Sequence, residues 1–126
     1  MVKKLQVYKC EVCGNMVEIL NDAGGSLVCC NKSMILMSEN TLDAAIEKHV
    51  PVVIEKEGKV IVQVGEVEHP MLEKHFIQWI EVITKSGQVL RQYLNPGEKP
   101  VAIFKFKGDI DRVREYCNIH GLWSNK

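Results

Sequence analysis

Residues 52–64 read VVIEKEGKVIVQV, and this stretch sets the kind of fold to expect. β-Branched residues fill both of its halves, and the polar segment Lys56-Glu57-Gly58-Lys59 separates them. Two runs rich in valine and isoleucine on either side of a short segment with glycine are the pattern of a β-hairpin. The stretch therefore predicts two antiparallel strands.

Strand-like runs of the same kind continue toward the C-terminus. Turn sequences such as Lys85-Ser86-Gly87-Gln88 and Asn95-Pro96-Gly97 separate them, because glycine, proline and asparagine favour tight turns. The further runs lie at residues 76–84, 89–94, 101–106, 113–117 and 122–123. Six or seven short strands at this spacing predict a mostly β protein with an antiparallel β-sandwich of immunoglobulin-like architecture. The Cys…Trp…Cys pattern of immunoglobulin domains is missing, so only the architecture is implied.

The chain is long enough for this domain and a small appendage. It has 126 residues, and we predict a metal-binding domain at residues 1–37 followed by the β-sandwich at residues 38–126. Sixteen basic and sixteen acidic residues give no net charge, so no global field favours nucleic acid or an anionic membrane. The N-terminus lacks an apolar signal region, and no apolar run approaches the ~20 residues of a membrane span. We therefore expect a cytoplasmic protein that binds neither nucleic acid nor membranes.

Four of the five cysteines fall in the first predicted domain as two pairs. Cys10 and Cys13 stand in a Cys-x-x-Cys-Gly loop, which folds back so that both sulfurs face one centre, and Cys29 and Cys30 are adjacent. Two pairs joined by a hairpin predict a tetrahedral four-sulfur site, the usual site of zinc or a single iron ion. A redox-active dithiol is the alternative for the first pair taken alone.

The adjacent cysteine pair puts a geometric demand on the backbone. Neighbouring residues in an extended chain point to opposite faces, so the chain must bend for Cys29 and Cys30 to reach one metal. A unit of under ~40 residues also has little core, and we expect the metal to supply much of its folding free energy.

Residues 41–47 predict one or two helical turns between the two domains. Thr41 is a good capping residue, and it is followed by an acidic first turn and strong helix formers. Pro51 then restricts Val50 and ends any helix before it.

The fifth cysteine, Cys117, lies three residues before His120. A thiolate and an imidazole this close in sequence can bind one metal ion. His49, His69 and His75 also lie in predicted loops or at strand edges, and loops at one end of a sandwich converge. From spacing alone, a shared metal site and ordinary surface or hydrogen-bonded histidines both remain possible.

Several segments resemble the motifs of desulfoferrodoxin, the family of two-iron superoxide reductases. The adjacent cysteine pair resembles that of desulforedoxin. The resemblance to desulfoferrodoxin covers essentially the whole chain. The other matching segments are EKHVP at residues 47–51, HPMLEKH at residues 69–75 and EYCNIHG at residues 115–121. Two positions depart from the family pattern: Glu68 stands where a small residue is more usual, and Leu122 stands where a histidine is common.

The resemblance implies two mononuclear non-haem iron ions per chain. One would be bound by Cys10, Cys13, Cys29 and Cys30. The other, catalytic iron would have His49, His69, His75 and His120 in an equatorial plane and Cys117 as the axial thiolate, with the sixth position open. Backbone N–H groups of residues 118–120 are expected to hydrogen-bond the sulfur.

The implied activity is the one-electron reduction of superoxide to hydrogen peroxide without evolution of oxygen. Lys48 would attract the anion to the open position, and Glu47 would occupy that position once the iron is ferric. The four-cysteine iron would be an accessory centre. The family's usual electron donor is a rubredoxin-like protein, and its usual assembly is a homodimer.

Other classes of protein explain part of the sequence. A cupredoxin-like copper carrier uses two histidines, one cysteine and often an axial methionine, which would leave two histidines without a role. A rubredoxin-like electron carrier or a zinc-ribbon interaction module accounts for the first four cysteines and leaves Cys117 and the histidines unexplained.

Overall fold

A computed structural model describes residues 2–42 and 48–126. The described residues form β-strands, turns and loops, and the chain divides into two compact units, Met1–Ser38 and Glu39–Lys126. Among the described residues, no helix has the length and apolar character needed to cross a membrane. The helical turns predicted at residues 41–47 fall mainly on residues 43–47, which lie outside the described residues.

The first unit consists of very short strands that bury few side chains. β1 lies between β2 and β5 in an antiparallel sheet, and β3 pairs with β4 as a hairpin. The strands are β1 (Val7–Lys9), β2 (Met16–Glu18), β3 (Val28–Cys29), β4 (Lys32–Ser33) and β5 (Ile35–Leu36). The buried apolar residues described in this unit are Val2, Val7, Cys10 and Ile19. Such a small core fits the expectation that bound metal contributes much of the folding free energy.

The backbone bends sharply at the adjacent cysteine pair. Cys30 and Asn31 have φ angles of 53° and 61°, and they connect Cys29 to Lys32, its partner on β4. Two successive residues with positive φ are typical of a type I′ hairpin turn. The bend predicted from the Cys29-Cys30 sequence is therefore confirmed, and it turns the Cys30 side chain back toward the other thiols.

The second unit has two antiparallel sheets, with strand orders β10-β7-β6 and β12-β11-β8-β9. Its strands are β6 (Pro51–Lys56), β7 (Lys59–Val64), β8 (Ile77–Thr84), β9 (Val89–Tyr93), β10 (Val101–Phe104), β11 (Ile110–Cys117) and β12 (Gly121–Ser124). Buried side chains from both sheets form one core, which includes Val60, Val62, Val64, Ile80, Val82, Ala102, Phe104 and Val113. The predicted immunoglobulin-like sandwich is confirmed.

The hairpin at residues 52–64 has the predicted tight connection. β6 and β7 pair from Pro51 opposite Val64 to Lys56 opposite Lys59. Glu57 and Gly58 form the two-residue loop with φ angles of 53° and 76°, which is the type I′ geometry that matches the twist of paired strands.

Strand β8 is buried along almost its whole length. Every residue of β8 except Gln78 is buried, including the charged residue Glu81. Arg91 on β9 and Arg114 on β11 lie opposite Glu81 in the sheet and form ion pairs with it. The carboxylate is buried because two guanidinium groups compensate its lost hydration.

The strand ends bring the predicted ligands to one end of the sandwich. Pro51 at the start of β6 pairs with Val64 at the end of β7, and Ile77 at the start of β8 pairs with Cys117 at the end of β11. Three segments therefore begin or end at the same end of the sandwich: the segment before β6, the β7–β8 connection and the β11–β12 loop.

Candidate metal centres

The Cys10–Cys13 loop is held by short backbone hydrogen bonds. The Cys10 N–H donates to the carbonyl of Asn15 at 2.8 Å, and the Gly14 N–H donates to the carbonyl of Cys10 at 3.0 Å. The N–H groups of Cys13 and Asn15 point at the sulfurs of Cys10 and Cys13, at 3.5 and 3.4 Å. Gly14 has a φ of 83°, a conformation that glycine adopts at little cost. The loop therefore presents two sulfurs that already accept hydrogen bonds.

The four thiols of the first unit lie at the spacing of a metal site; we call this group the first centre. Its members are Cys10, Cys13, Cys29 and Cys30, whose sulfurs all lie within 4.8 Å of one another. The Cys13–Cys29 and Cys29–Cys30 sulfur separations are 3.6 and 3.9 Å. A tetrahedron with metal–sulfur bonds of about 2.3 Å has sulfurs roughly 3.8 Å apart, whereas a disulfide bond is about 2.05 Å. The spacing fits a tetrahedral metal ion.

The thiols of the first centre do not ionise together without a cation. The backbone N–H of Cys13 lowers the pKa of Cys10 to about 6, while hydrogen bonding to Cys13 raises the pKa of Cys29 to about 12. The pKa of Cys30 is also raised, chiefly by its hydrogen bond to Cys13. Since metal ligation requires thiolates, a bound cation is what would keep all four deprotonated.

The second group of candidate ligands lies at the end of the sandwich; we call it the second centre. It consists of His49, His69, His75, Cys117 and His120, whose nearest ligand atoms all lie within 4.8 Å of one another. The imidazole rings follow one another around a closed four-membered circuit with centroid separations of 4.8, 4.8, 5.0 and 4.8 Å. Residues up to 71 positions apart in sequence thus converge on one point.

The nitrogen positions in the second centre fit a metal ion. His49 Nε2 lies 3.1 Å from His120 Nδ1, which lies 3.8 Å from Cys117 Sγ. With metal–nitrogen bonds of about 2.1 Å, adjacent nitrogens in a square plane are roughly 3.0 Å apart. The buried Nε2 atoms of His69 and His75 have no hydrogen-bond partner in the described part of the chain. Buried polar atoms are normally satisfied, so these lone pairs point to a metal.

The tautomer and charge of His69 suit a metal ligand. Its Nδ1 lies 2.7 Å from the carbonyl of Pro70. A carbonyl accepts only, so Nδ1 carries the proton and Nε2 keeps its lone pair. Burial lowers the pKa of His69 to about 4, and burial is also the main cause that lowers the pKa of His75. Both rings are therefore neutral at pH 7, the form that binds metal.

The thiol of Cys117 is fully buried at the end of β11. Burial raises its pKa, and hydrogen bonds from the backbone N–H groups of His120 and Ile119 oppose that rise. These two N–H groups donate to the sulfur as predicted. The third, that of Asn118, donates instead to the carbonyl of Phe76 at 3.2 Å.

Two residues that the sequence analysis did not single out support the ligands. The Asn118 side chain accepts a hydrogen bond from the Phe76 N–H at 2.9 Å and donates one to the Lys74 carbonyl at 3.0 Å. It therefore binds the backbone on both sides of His75. Trp123, predicted only as part of a closing strand, stacks on the His49 ring. Neither residue is one of the predicted metal ligands. Only their place in or beside the ligand motifs indicates that they could support those ligands.

Of the two predicted catalytic residues, the structure describes Lys48. Lys48 is half-buried, and its positive charge contributes to lowering the pKa of His75, which places it near the second centre. Glu47 lies outside the described residues. Glu68 is exposed, and Leu122 is fully buried in β12 opposite Tyr116.

Comparison with known proteins gives consistent matches over the whole chain. A family model described as desulfoferrodoxin matches residues 41–126, and one described as the desulfoferrodoxin N-terminal domain matches residues 2–37. The chain is 58% identical to a desulfoferrodoxin of Syntrophotalea carbinolica, across 100% of this chain and 99% of that protein. A superoxide reductase structure from Treponema pallidum has a TM-score of 0.82 and 28% identity, covering 98% of each chain. A one-iron superoxide reductase from Giardia intestinalis has a TM-score of 0.53 and 36% identity, covering 64% of this chain and 96% of that one.

Proposed function

Because the chain belongs to the desulfoferrodoxin family, we propose that it is a superoxide reductase, an enzyme that reduces superoxide by one electron to hydrogen peroxide. The reaction consumes one superoxide, one electron and two protons, and it evolves no oxygen. The single observation that supports it best is the second centre, where four imidazoles and one thiol converge. A protein named superoxide reductase shares this fold over nearly the whole chain.

The ring geometry supports the proposed ligand assignment. In the circuit of imidazoles, each ring neighbours two others, as the four corners of an equatorial plane would. Cys117 would supply the thiolate ligand, and the backbone N–H groups that reach its sulfur would limit how much charge that thiolate donates. Four imidazoles and a thiolate would give a bound ion five protein ligands and would leave one position open for substrate.

The two groups correspond to the two mononuclear non-haem iron sites of the family. His49, His69, His75, Cys117 and His120 would hold a ferrous ion in the second centre, which would supply the electron for the reduction of superoxide. The protein's own contribution is to keep the His69 and His75 imidazoles neutral by burial and to hydrogen-bond the Cys117 sulfur through backbone N–H groups.

Lys48 and Glu47 are the proposed catalytic residues around the open position. Superoxide is small and anionic, so charge is the main feature by which a protein can attract it. The Lys48 ammonium, whose charge reaches His75, draws the anion in and stabilises negative charge on the reduced product. Glu47 is adjacent in sequence, and its carboxylate would help to displace peroxide once the centre is oxidised.

The first centre is proposed to be an accessory iron site in a domain at residues 1–37, with the catalytic domain at residues 38–126. The thiol spacing and the family match support this assignment. A rubredoxin-like protein donates the electron, and the chain works as a cytoplasmic homodimer. Free thiols at metal-site spacing, in place of disulfides, agree with a reducing compartment.

An electron carrier without catalysis is not favoured. Blue-copper sites use two histidines and one cysteine, whereas the second centre brings together four histidines and one cysteine. A zinc-ribbon module would leave the second centre without a purpose.

The test of this function is a matched pair of cysteine variants. Cys117→Ser removes the axial thiolate, and Cys13→Ser removes one thiolate of the first centre. We expect Cys117→Ser to abolish superoxide reduction while the first centre stays filled, and Cys13→Ser to retain it. Stopped-flow mixing of each pre-reduced protein with superoxide measures this, and full activity of Cys117→Ser would refute the axial role.

A further inference from the structure

Trp123 makes two separate contacts with the second centre. Its indole ring stacks on the imidazole of His49 with a centroid separation of 4.6 Å and an interplanar angle of 15°. Its indole N–H donates to the backbone carbonyl of His120 at 3.1 Å. One side chain therefore touches two neighbouring candidate ligands that lie 71 residues apart in sequence.

The position of Trp123 in β12 sets it apart from the core residues beside it. Leu122 and Ser124 are fully buried, while Trp123 is only partly buried, because alternate residues of a strand point to opposite faces. The backbone of β12 is fixed by its pairing with β11, where Trp123 lies opposite Glu115. The Trp123 indole therefore projects from a paired strand and packs against the His49 imidazole.

His49 is the candidate ligand that Trp123 contacts through its ring. It lies in a bend of the chain that precedes β6, outside any strand. The other ligands stand close to ordered hydrogen bonds: His69 through the Pro70 carbonyl, His75 between two backbone groups that Asn118 holds, and His120 in the β11–β12 loop. A stacked aromatic ring fixes the plane of the imidazole that it covers.

We propose that Trp123 is a positioning residue that fixes the plane of the His49 imidazole and its distance from His120, so that both nitrogens face one metal ion before the metal binds. The stack restrains the His49 ring, and the N–H bond ties the same indole to the His120 backbone. Preorganised ligands lose less entropy on binding, so the metal dissociates more slowly. This inference rests on the proposed ligand role of His49.

The test measures metal retention in the full chain loaded with iron at both centres. An excess of a ferrous chelator is added to the reduced protein, and the loss of iron from each centre is followed separately. The first centre serves as a reference in the same sample. Trp123→Phe keeps an aromatic ring and loses the N–H donor, whereas Trp123→Leu loses both contacts.

We expect iron to leave the second centre roughly two- to tenfold faster in Trp123→Phe and roughly tenfold or more faster in Trp123→Leu, with no change at the first centre. The thiolate-to-ferric charge-transfer band of the oxidised second centre should also shift in Trp123→Leu. Trp79→Phe is the matched control, because Trp79 stacks on Tyr116 in the same unit, whereas the ring contacts of the four histidines in the described part of the chain are with one another and with Trp123. It should leave both readouts unchanged.

Equal dissociation rates in wild type, Trp123→Phe and Trp123→Leu would overturn the proposal. The same acceleration in Trp79→Phe as in Trp123→Phe would also overturn it, because the effect would then come from general loosening of the domain. His49→Ala tests the ligand role of His49 separately from the positioning role of Trp123. If that variant holds iron as tightly as wild type, the ligand role of His49 fails, whatever the Trp123 variants do.

Discussion

Replacing Arg114 by methionine should strongly destabilise the second unit. Arg114 and Glu81 are both fully buried, and the guanidinium donates to Glu81 Oε1 from Nε at 2.8 Å and from a terminal nitrogen at 2.6 Å. The same guanidinium lies 3.3 Å from Glu39. Arg114→Met leaves the Glu81 carboxylate buried with one partner fewer, which costs about 3–5 kcal/mol of the unfolding free energy. A domain of this size has only about 5–15 kcal/mol in total.

The measurement is urea unfolding of the metal-loaded full chain, with the fluorescence of Trp79 and Trp123, both in the second unit, as the probe. A second variant, Arg114→Met with Glu81→Leu, removes both charges of the pair. We expect it to recover much of the lost stability, because replacing a buried ion pair by apolar residues is often nearly neutral. A loss below about 1 kcal/mol in Arg114→Met would refute this reasoning. A double variant as unstable as the single one would contradict the claim that the loss comes from the buried Glu81 carboxylate without its Arg114 partner.

Three further predictions follow from the second centre. Lys48→Ile should slow the reaction with superoxide and flatten its dependence on ionic strength, and an unchanged stopped-flow rate would exclude Lys48 from the mechanism. Asn118→Ala removes two hydrogen bonds beside His75, so it should cost roughly 1–3 kcal/mol in urea unfolding and speed iron loss from the second centre; wild-type values for both would contradict its supporting role. In the metal-free protein, the pKa of His69 is about 4, below its unfolded value of about 6.5, so the unfolded chain binds more protons between these values. The unfolding free energy should therefore fall by at most roughly 3 kcal/mol as pH drops from 6.5 to 4, and His69→Gln should flatten that profile.

The sequence predicts the parts of this protein that depend on local pattern. The hairpin at residues 52–64 follows from β-branched runs around Glu57-Gly58, and the structure places two left-handed residues there. The bend at Cys30 follows from the opposite directions of adjacent side chains. The metal-ligand candidates could be identified because cysteine and histidine in characteristic motifs carry their chemistry in their identity.

Features that depend on long-range packing could not be predicted in the same way. Glu81 stands in an apolar strand, and nothing local indicates that Arg91 and Arg114 lie opposite it, because sheet register is set by distant residues. The same holds for Asn118 and Trp123, whose partners come from other loops. Hydrogen bonds and stacking contacts leave no periodic signal in the sequence.

The central claim, that the second centre reduces superoxide, is tested most directly by adding superoxide to the pre-reduced protein while recording its visible spectrum and counting peroxide. We expect a new thiolate-to-ferric charge-transfer band from the Cys117 site, with about one peroxide formed for each iron oxidised there and no oxygen released. No spectral change in protein that holds iron at both centres, or oxygen released in step with peroxide, would contradict it.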